Sequence, residues 1–178
     1  MLNTESPSTR HTELDLYATA DLVSALVEDQ VHAVDAVRSA GAELARAVDA
    51  AVPRMQQGGR LIYAGAGTSG RLGVLDSVEL YPTFSWPHDR AIGLLAGGAD
   101  AMFTAVEGAE DDATQGARDM QAVHVAANDV VLLLAASGAT PYVMGALQAA
   151  RSAGALTVGF ANNPDAPLTQ QADIGITL

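Results

Sequence analysis

Apolar residues along the chain change their spacing near residue 58. Before that point, from Thr19 to Gln57, they recur at steps of three and four residues, the spacing of one face of an α-helix. Gly41 interrupts this stripe and Gly58-Gly59 ends it, as glycine often does after a helix. The pattern therefore predicts N-terminal helices, and the polar residues 1–16 before them predict an extended arm.

Beyond residue 58, short apolar runs alternate with helical patterns. Five runs resemble buried strands: Arg60–Ala64, Ala91–Leu95, Asp129–Ala135, Leu156–Phe160 and Ile174–Leu178. Helical patterns between them cover residues 71–80, 99–107, 113–123 and 142–152. Strands that alternate with helices form a parallel sheet covered on both faces. The pattern predicts an α/β domain over residues 58–178, with residues 1–57 as a helical N-terminal region.

Composition and charge exclude several classes of protein. Hydrophobic residues make up 49% of the 178 residues, which is enough for a buried core and rules out global disorder. The chain has 21 acidic and 9 basic residues, and its net charge of −12 disfavours binding to nucleic acid. The N-terminus is unlike a signal peptide, and no apolar run could cross a bilayer. We therefore expect a cytoplasmic protein without a membrane partner.

Several residue types that support catalysis or metal binding are absent. The sequence has no cysteine, so it forms neither a disulfide nor a thiolate nucleophile. All nine basic residues are arginines, which excludes a Schiff-base lysine and the lysine of an ATP-binding loop. The four histidines are widely separated and no pair has zinc-ligand spacing, so no metal site is predicted.

Two loops that join a predicted strand to a helix carry glycine and hydroxyl residues. They are Gly65–Gly70 and Ser137–Thr140, the second followed by Pro141, which suits a first helical turn. Glycine lets the backbone approach a ligand, and a helix N-terminus favours an anion. One such loop is equally a tight turn with a helix cap, but two in one sheet favour a phosphate. A dinucleotide is disfavoured because the second strand ends without the acidic residue that binds ribose.

Four long segments closely resemble the N-acetylmuramic acid 6-phosphate etherases: Tyr63–Asp76, Val78–Phe84, Ala105–Asp112 and Ala135–Val143. Thr4-Glu5 and Asn163-Pro164 extend the match to nearly the whole chain. The resemblance implies the SIS (sugar isomerase) fold, a flavodoxin-like three-layer αβα sandwich that binds phosphosugars. It also implies a homodimer that works without a metal or organic cofactor, with residues 1–57 in part of the dimer interface. Enzymes of this family continue beyond the position of Leu178, so the chain is expected to lack their C-terminal part.

The resemblance also implies an activity and a set of site residues. The activity is cleavage of the D-lactyl ether of N-acetylmuramic acid 6-phosphate to N-acetylglucosamine 6-phosphate and D-lactate, by elimination and then hydration, in cell-wall recycling. By motif, Glu79 is the main acid/base and Glu110 the second carboxylate, and only motif position separates Glu110 from Glu107. Six loop residues are expected to bind the substrate phosphate: Gly67, Thr68, Ser69, Ser137, Gly138 and Thr140. Asn163 is a candidate substrate contact.

The position of Glu79 in the sequence predicts where it lies relative to the phosphate loop. It follows Ser69 by ten residues, and a helix rises about 1.5 Å per residue, so Glu79 lies near the far end of the helix. We therefore expect it to meet substrate across a dimer interface. Its apolar neighbours Val78 and Leu80 predict that it is not fully exposed. The nearby Asp111-Asp112 pair is interpreted as a solvated helix start.

Two other functions stay open. One is a non-catalytic phosphosugar-binding module, like the regulatory proteins that share this fold and the Ser-Gly-x-Thr-x-Tyr-Val pattern. The other, less favoured, is a phosphosugar isomerase. The presence of both Glu79 and Glu110 favours the etherase, whereas the missing C-terminal part favours binding without catalysis.

Overall fold

The computed structural model describes Thr4, residues 6–7 and residues 9–178. Of the predicted arm, residues 1–3, Glu5 and Ser8 lie outside the described residues. The strands are β1 (Leu61–Gly65), β2 (Ala91–Leu95), β3 (Val130–Leu134), β4 (Leu156–Ala161) and β5 (Ile174–Thr177). The helices are α1 (Thr19–Ser39), α2 (Gly41–Gln56), α3 (Gly67–Phe84), α4 (Ala113–Ala122), α5 (Pro141–Ser152) and α6 (Pro167–Gln171).

The five strands form one parallel sheet in the order β2-β1-β3-β4-β5. This is the strand order of flavodoxin-like folds, and it confirms the predicted α/β class and five-stranded sheet. Because β1 and β3 are neighbours whose following helices lead to opposite edges of the sheet, the order reverses between them. In such sheets, ligands bind beyond the carboxyl ends of the strands at this reversal.

Helices cover both faces of the sheet. On one face, Met120 of α4 and Tyr142 and Leu147 of α5 pack with Val131 and Leu133 of β3, all fully buried. On the other face, α2 packs through a stripe of partly buried residues against buried strand residues of β3, β4 and β5. α3 packs on β1 and β2. The result is the predicted three-layer sandwich, in which α2 is one of the covering helices.

The segment between β2 and α4 differs from its predicted helix over residues 99–107. Only a 3-10 turn forms, from Ala99 to Met102. Ala101 is buried, but Phe103 is 91% exposed and Val106 is also exposed, so the apolar positions after Met102 have no core to pack against. A helix this short is not stable without such packing. The five-residue α6 was not predicted, since its length is too short to establish a helical period.

Within the described part of the chain, no helix is both long enough and apolar enough to span a membrane.

An ion pair at the amino ends of the strands joins β1 to β3. Asp129 is 3% exposed, and its Oδ2 lies 2.6 Å from a terminal nitrogen of Arg60. The backbone N–H groups of Arg60 and Ala126 also donate to this carboxylate, at 3.0 and 2.9 Å. Burial alone would raise the pKa of Asp129, but these hydrogen bonds and the positive charge of Arg60 together lower it.

We predict that Asp129→Asn lowers the free energy of unfolding at pH 7 by about 3–5 kcal/mol, because it leaves a partly buried guanidinium unpaired. A carboxyl whose pKa is lowered by folding stabilises the protein above its unfolded pKa of about 3.9, and this contribution is lost as pH falls through the folded pKa. Urea unfolding should therefore show a difference between wild type and variant that shrinks below about pH 4.

The exposed pair of Asp35 and Arg38 provides the matched control. Asp35→Asn should change the free energy of unfolding by less than about 1 kcal/mol, because exposed ion pairs contribute little. Equal effects of Asp129→Asn and Asp35→Asn at pH 7 would contradict the structural role of the buried pair.

Candidate functional site

The carboxyl ends of β1 and β3 open into a cavity of about 580 Å³. The first turn of α3 forms one wall, and the loop from β3 to α5 forms the other. The cavity lies at the reversal of strand order, where ligands bind in folds of this class.

Glycines let α3 follow β1 almost without a loop. A Cβ atom on Gly70 would lie 2.5 Å from the carbonyl carbon of Gly65, so no larger residue fits at this crossing. Gly67 has a φ of +54°, which glycine adopts readily. Residues 67–70, predicted as part of a loop, therefore form the first turn of α3, and residues 67–69 line the cavity.

The first turn of α3 has free hydrogen-bond donors. Its N-cap residue is Ala66, and no side-chain cap bond forms there. The N–H of Gly70 donates to the Ala66 carbonyl at 3.0 Å, which leaves the N–H groups before it without a helical partner. The hydroxyls of Thr68 and Ser69 line the same cavity, and neither makes a hydrogen bond within the described residues. Such a helix start is suited to an anion.

The N-terminus of α5 faces the same cavity. Its N-cap residue is Thr140, whose side chain makes no cap bond, and Pro141 occupies the first turn. The Ser137 Oγ lies 3.4 Å from the Thr140 Oγ1 and accepts a hydrogen bond from the Ala139 N–H at 3.3 Å. Two hydroxyls thus stand side by side at this helix start and line the cavity.

Gly138, predicted to bind phosphate, lies on the other side of this loop. It is buried and has a φ of +70°, and a Cβ atom there would lie 2.3 Å from the Cβ of Ala166. It does not line the cavity. Its role in the structure is to let the loop turn against α6. A glycine in a loop can serve either a turn or a ligand contact, and the sequence pattern alone does not distinguish the two.

Asn163, the candidate substrate contact, lies behind the cavity wall. It is 1% exposed, and its Nδ2 donates to the carbonyl oxygens of Ala136 and Ser137 at 3.3 and 3.1 Å. The same nitrogen donates to the Thr4 Oγ1 at 3.0 Å, and its Oδ1 accepts from the Thr4 N–H at 3.2 Å. Asn163 therefore joins the loop to Thr4, and it is Thr4 that lines the cavity.

The acidic segment before α4 reaches the cavity through Glu110. Both Glu110 and Asp111 line it, whereas Glu107 does not. The two glutamates thus differ in position, since only Glu110 lines this cavity. Asp112 accepts a hydrogen bond from the Gln115 N–H at 2.8 Å, which confirms the expected helix start. Asp111 also lines the cavity, which was not predicted.

Glu79 lies outside the cavity. It is twelve residues after Gly67 on α3, a distance of about 18 Å along the helix. In the single chain Glu79 and Val78 are both exposed, whereas Leu80 is partly buried, so these apolar neighbours do not bury Glu79. The reason is that α3 turns its glycines, Gly70 and Gly73, toward the sheet, which leaves residues 78 and 79 on the outer face.

A smaller cavity of about 310 Å³ adjoins the first. The two share Gly67 and Glu110, and the smaller one also contacts Arg71 and Glu107. The Arg71 Nε donates to the carbonyl oxygen of Ala101 at 2.8 Å. Neither Arg71 nor Thr4 has a role predicted from the sequence, although both lie in the segments of the resemblance.

Comparison with known sequences identifies the family. The family described as "Glucokinase regulatory protein N-terminal SIS domain" matches residues 43–151, more than half of the chain. The chain is also 55% identical over 175 residues to the N-acetylmuramic acid 6-phosphate etherase of Deinococcus radiodurans. That match covers 98% of this chain but 57% of the relative, so the chain spans less than two thirds of the relative's length.

Solved structures with this fold have much lower sequence identity. A phosphoheptose isomerase from Francisella tularensis superposes with a TM-score of 0.68 at 17% identity, covering 90% of this chain and 86% of that one. The Vibrio vulnificus NanR protein complexed with ManNAc-6P gives a TM-score of 0.52 at 18% identity, covering 88% and 54%. These similarities confirm the predicted SIS fold. The chain therefore belongs to the glucokinase regulatory protein N-terminal SIS domain family, and over almost its whole length it is similar to an N-acetylmuramic acid 6-phosphate etherase.

Proposed function

We propose that the chain is the phosphosugar-binding and catalytic part of an N-acetylmuramic acid 6-phosphate etherase. It would release D-lactate from N-acetylmuramic acid 6-phosphate and leave N-acetylglucosamine 6-phosphate. One observation carries the proposal: the uncapped starts of α3 and α5 face one cavity that Glu110 also lines. The similarity to a named etherase supports the choice of substrate.

The phosphate group belongs at the two helix starts. N–H groups of the first turn of α3 and the hydroxyls of Thr68, Ser69, Ser137 and Thr140 can all donate to phosphate oxygens. The partial positive charge of both helix ends adds to these bonds. The ligand of the NanR protein, ManNAc-6P, is a sugar phosphate, which supports this class of ligand for the shared fold.

The chemistry requires proton transfers that carboxyl groups assist. An ether resists direct attack by water at neutral pH, but opening the sugar to its aldehyde acidifies the proton on C2. A base then removes that proton, lactate leaves from C3 with help from an acid, and water adds to the unsaturated sugar. We assign Glu79 as the main acid/base and Glu110 as the second carboxylate, each step gaining about 10²–10⁴-fold from such a group.

The proposed site needs a second copy of the chain. Glu79 lies about 18 Å along α3 from the helix start that would hold the phosphate, so the two do not meet on one hexose phosphate within one chain. A two-fold contact across α3 would bring Glu79 of one copy to the cavity of the other. Such isologous pairs are the commonest oligomers.

Exposed apolar residues support this homodimer. On α3 they recur every three residues and are Leu72, Leu75, Val78, Tyr81 and Phe84, each at least 50% exposed. On α1 they are Val23, Leu26, Val27, Val31, Val34 and Val37. Extended apolar patches of this kind are typical of protein interfaces. We therefore assign residues 1–57 to part of the interface and residues 58–178 to the phosphosugar-binding domain, whose sheet α2 also covers.

The alternative is a phosphosugar-binding module without catalysis. The exposed position of Glu79 in the single chain favours it. A phosphosugar isomerase is the third candidate, on fold alone. The cytoplasmic location and the absence of a nucleic-acid or membrane partner stay predictions from the sequence.

We predict that Ser69→Ala and Thr140→Ala each weaken the binding of N-acetylglucosamine 6-phosphate by roughly 1–3 kcal/mol, since each removes a donor to a charged acceptor. Isothermal titration calorimetry measures the change. Ser152→Ala is the control, because the Ser152 hydroxyl lies at the far end of α5 and, among the described residues, bonds only the Gln148 carbonyl. Wild-type affinity in both site variants would reject the phosphate site.

We predict that Glu79→Gln abolishes both lactate release and the exchange of the C2 proton, because glutamine keeps the size of the side chain but cannot move a proton. Deuterium uptake from heavy water into N-acetylglucosamine 6-phosphate, followed by mass spectrometry, measures the exchange. Glu110→Gln should slow lactate release and leave some uptake, if Glu110 acts after C2 deprotonation.

Asp165→Asn, at an exposed position in the turn before α6, is the control for these variants and should retain wild-type rates. Normal exchange in Glu79→Gln would refute the role of Glu79 even if the family is correct. A wild-type chain that binds the phosphosugar but shows neither lactate release nor exchange would be a binding module.

A further inference from the structure

The smaller cavity beside the phosphate site has a cation on its wall. It has a volume of about 310 Å³ and shares Gly67 and Glu110 with the larger cavity, so a ligand held by the helix starts can extend into it. Arg71 is the only basic residue among the described residues that line either cavity. We propose that Arg71 binds the carboxylate of the substrate's lactyl group and thereby selects substrate over product, an inference that rests on the proposed function.

The Arg71 side chain is held in place but keeps free donors. Its Nε donates to the Ala101 carbonyl at 2.8 Å, which fixes the side chain against the turn after β2. The two terminal nitrogens make no hydrogen bond within the described residues, and no carboxylate in that part of the chain lies within 4 Å of them. A planar guanidinium with free terminal nitrogens matches the geometry of a carboxylate.

The position of Arg71 on α3 allows its side chain to reach a ligand group that lies next to the bound phosphate. It follows Gly67 by four residues, so both lie on the same face of the helix, about one turn apart. Long side chains on a helix lean toward its N-terminus, which brings the guanidinium back toward the cavity. A ligand bound at both points would place its sugar between the two cavities, next to Glu110.

Charge around the two cavities makes such a cation necessary for this substrate. Glu107, Glu110 and Asp111 surround the space with negative groups. The helix ends and hydroxyls favour one anion, the phosphate, but a second anion would be repelled by these carboxylates. Arg71 offsets this repulsion at the smaller cavity. N-acetylglucosamine 6-phosphate has no lactyl carboxylate, so it gains nothing from Arg71.

Calorimetry with three ligands tests the proposal. They are N-acetylmuramic acid 6-phosphate, the same compound with its lactyl carboxylate converted to the carboxamide, and N-acetylglucosamine 6-phosphate. All variants carry Glu79→Gln to prevent turnover during the titration. Arg71→Gln should lower the affinity for the carboxylate ligand about tenfold or more, with the affinities for the other two ligands unchanged within about twofold. Arg71→Lys should recover part of the loss, since it restores the charge without the planar geometry.

Arg118→Gln, an exposed arginine on α4, is the matched control and should leave all three affinities unchanged. If Arg71→Gln weakens all three ligands equally, Arg71 acts on the phosphate or on the fold, and the proposal is overturned. Unchanged affinity for the carboxylate ligand overturns it as well. If the parent protein binds none of the three, the proposed function itself fails, which is a different result from a loss of carboxylate selectivity alone.

Discussion

An α-helix that begins without a capping side chain leaves its first N–H groups without partners, and in this protein two such helices begin at one cavity. The parallel sheet creates this arrangement, because β1 and β3 are adjacent and their following helices both start at the carboxyl edge. Glycines at positions 65 and 70 make the crossing of strand and helix close enough for α3 to begin at the cavity. A bound anion would supply the missing partners.

The length of α3 separates the proposed phosphate site from Glu79. Its first turn faces the cavity, its inner face contacts the sheet, and its outer face carries exposed apolar residues together with Glu79. Since phosphate and Glu79 would lie at opposite ends of this one helix, catalysis by both on one sugar requires two copies. The same helix carries Arg71 one turn from its start, at the wall of the smaller cavity. Ligand binding, substrate selection and pairing of subunits would thus depend on a single element.

Much of this fold could be predicted from the sequence, because its strands are short runs of consecutive apolar residues that a parallel sheet buries on both faces. The structure of residues 99–107 could not be predicted, since Phe103 and Val106 have no core to pack against and the predicted helix does not form. The site residues likewise include some that the sequence predicts and one that it does not. Ser69 and Thr140 lie at helix starts that the local pattern reveals. Thr4 reaches the cavity through a hydrogen bond to a residue 159 positions away, which no local pattern contains.

Mixing two defective variants tests most directly whether the active site is shared between two copies. Glu79→Gln and Glu110→Gln homodimers would each have two impaired sites. After subunit exchange, a mixed dimer would have one intact site, with Glu110 from one chain and Glu79 from the other. Lactate release should then rise to about one quarter of the wild-type rate, since half the dimers are mixed and each has one working site. Activity no greater than the sum of the two separate variants would contradict a site shared between copies.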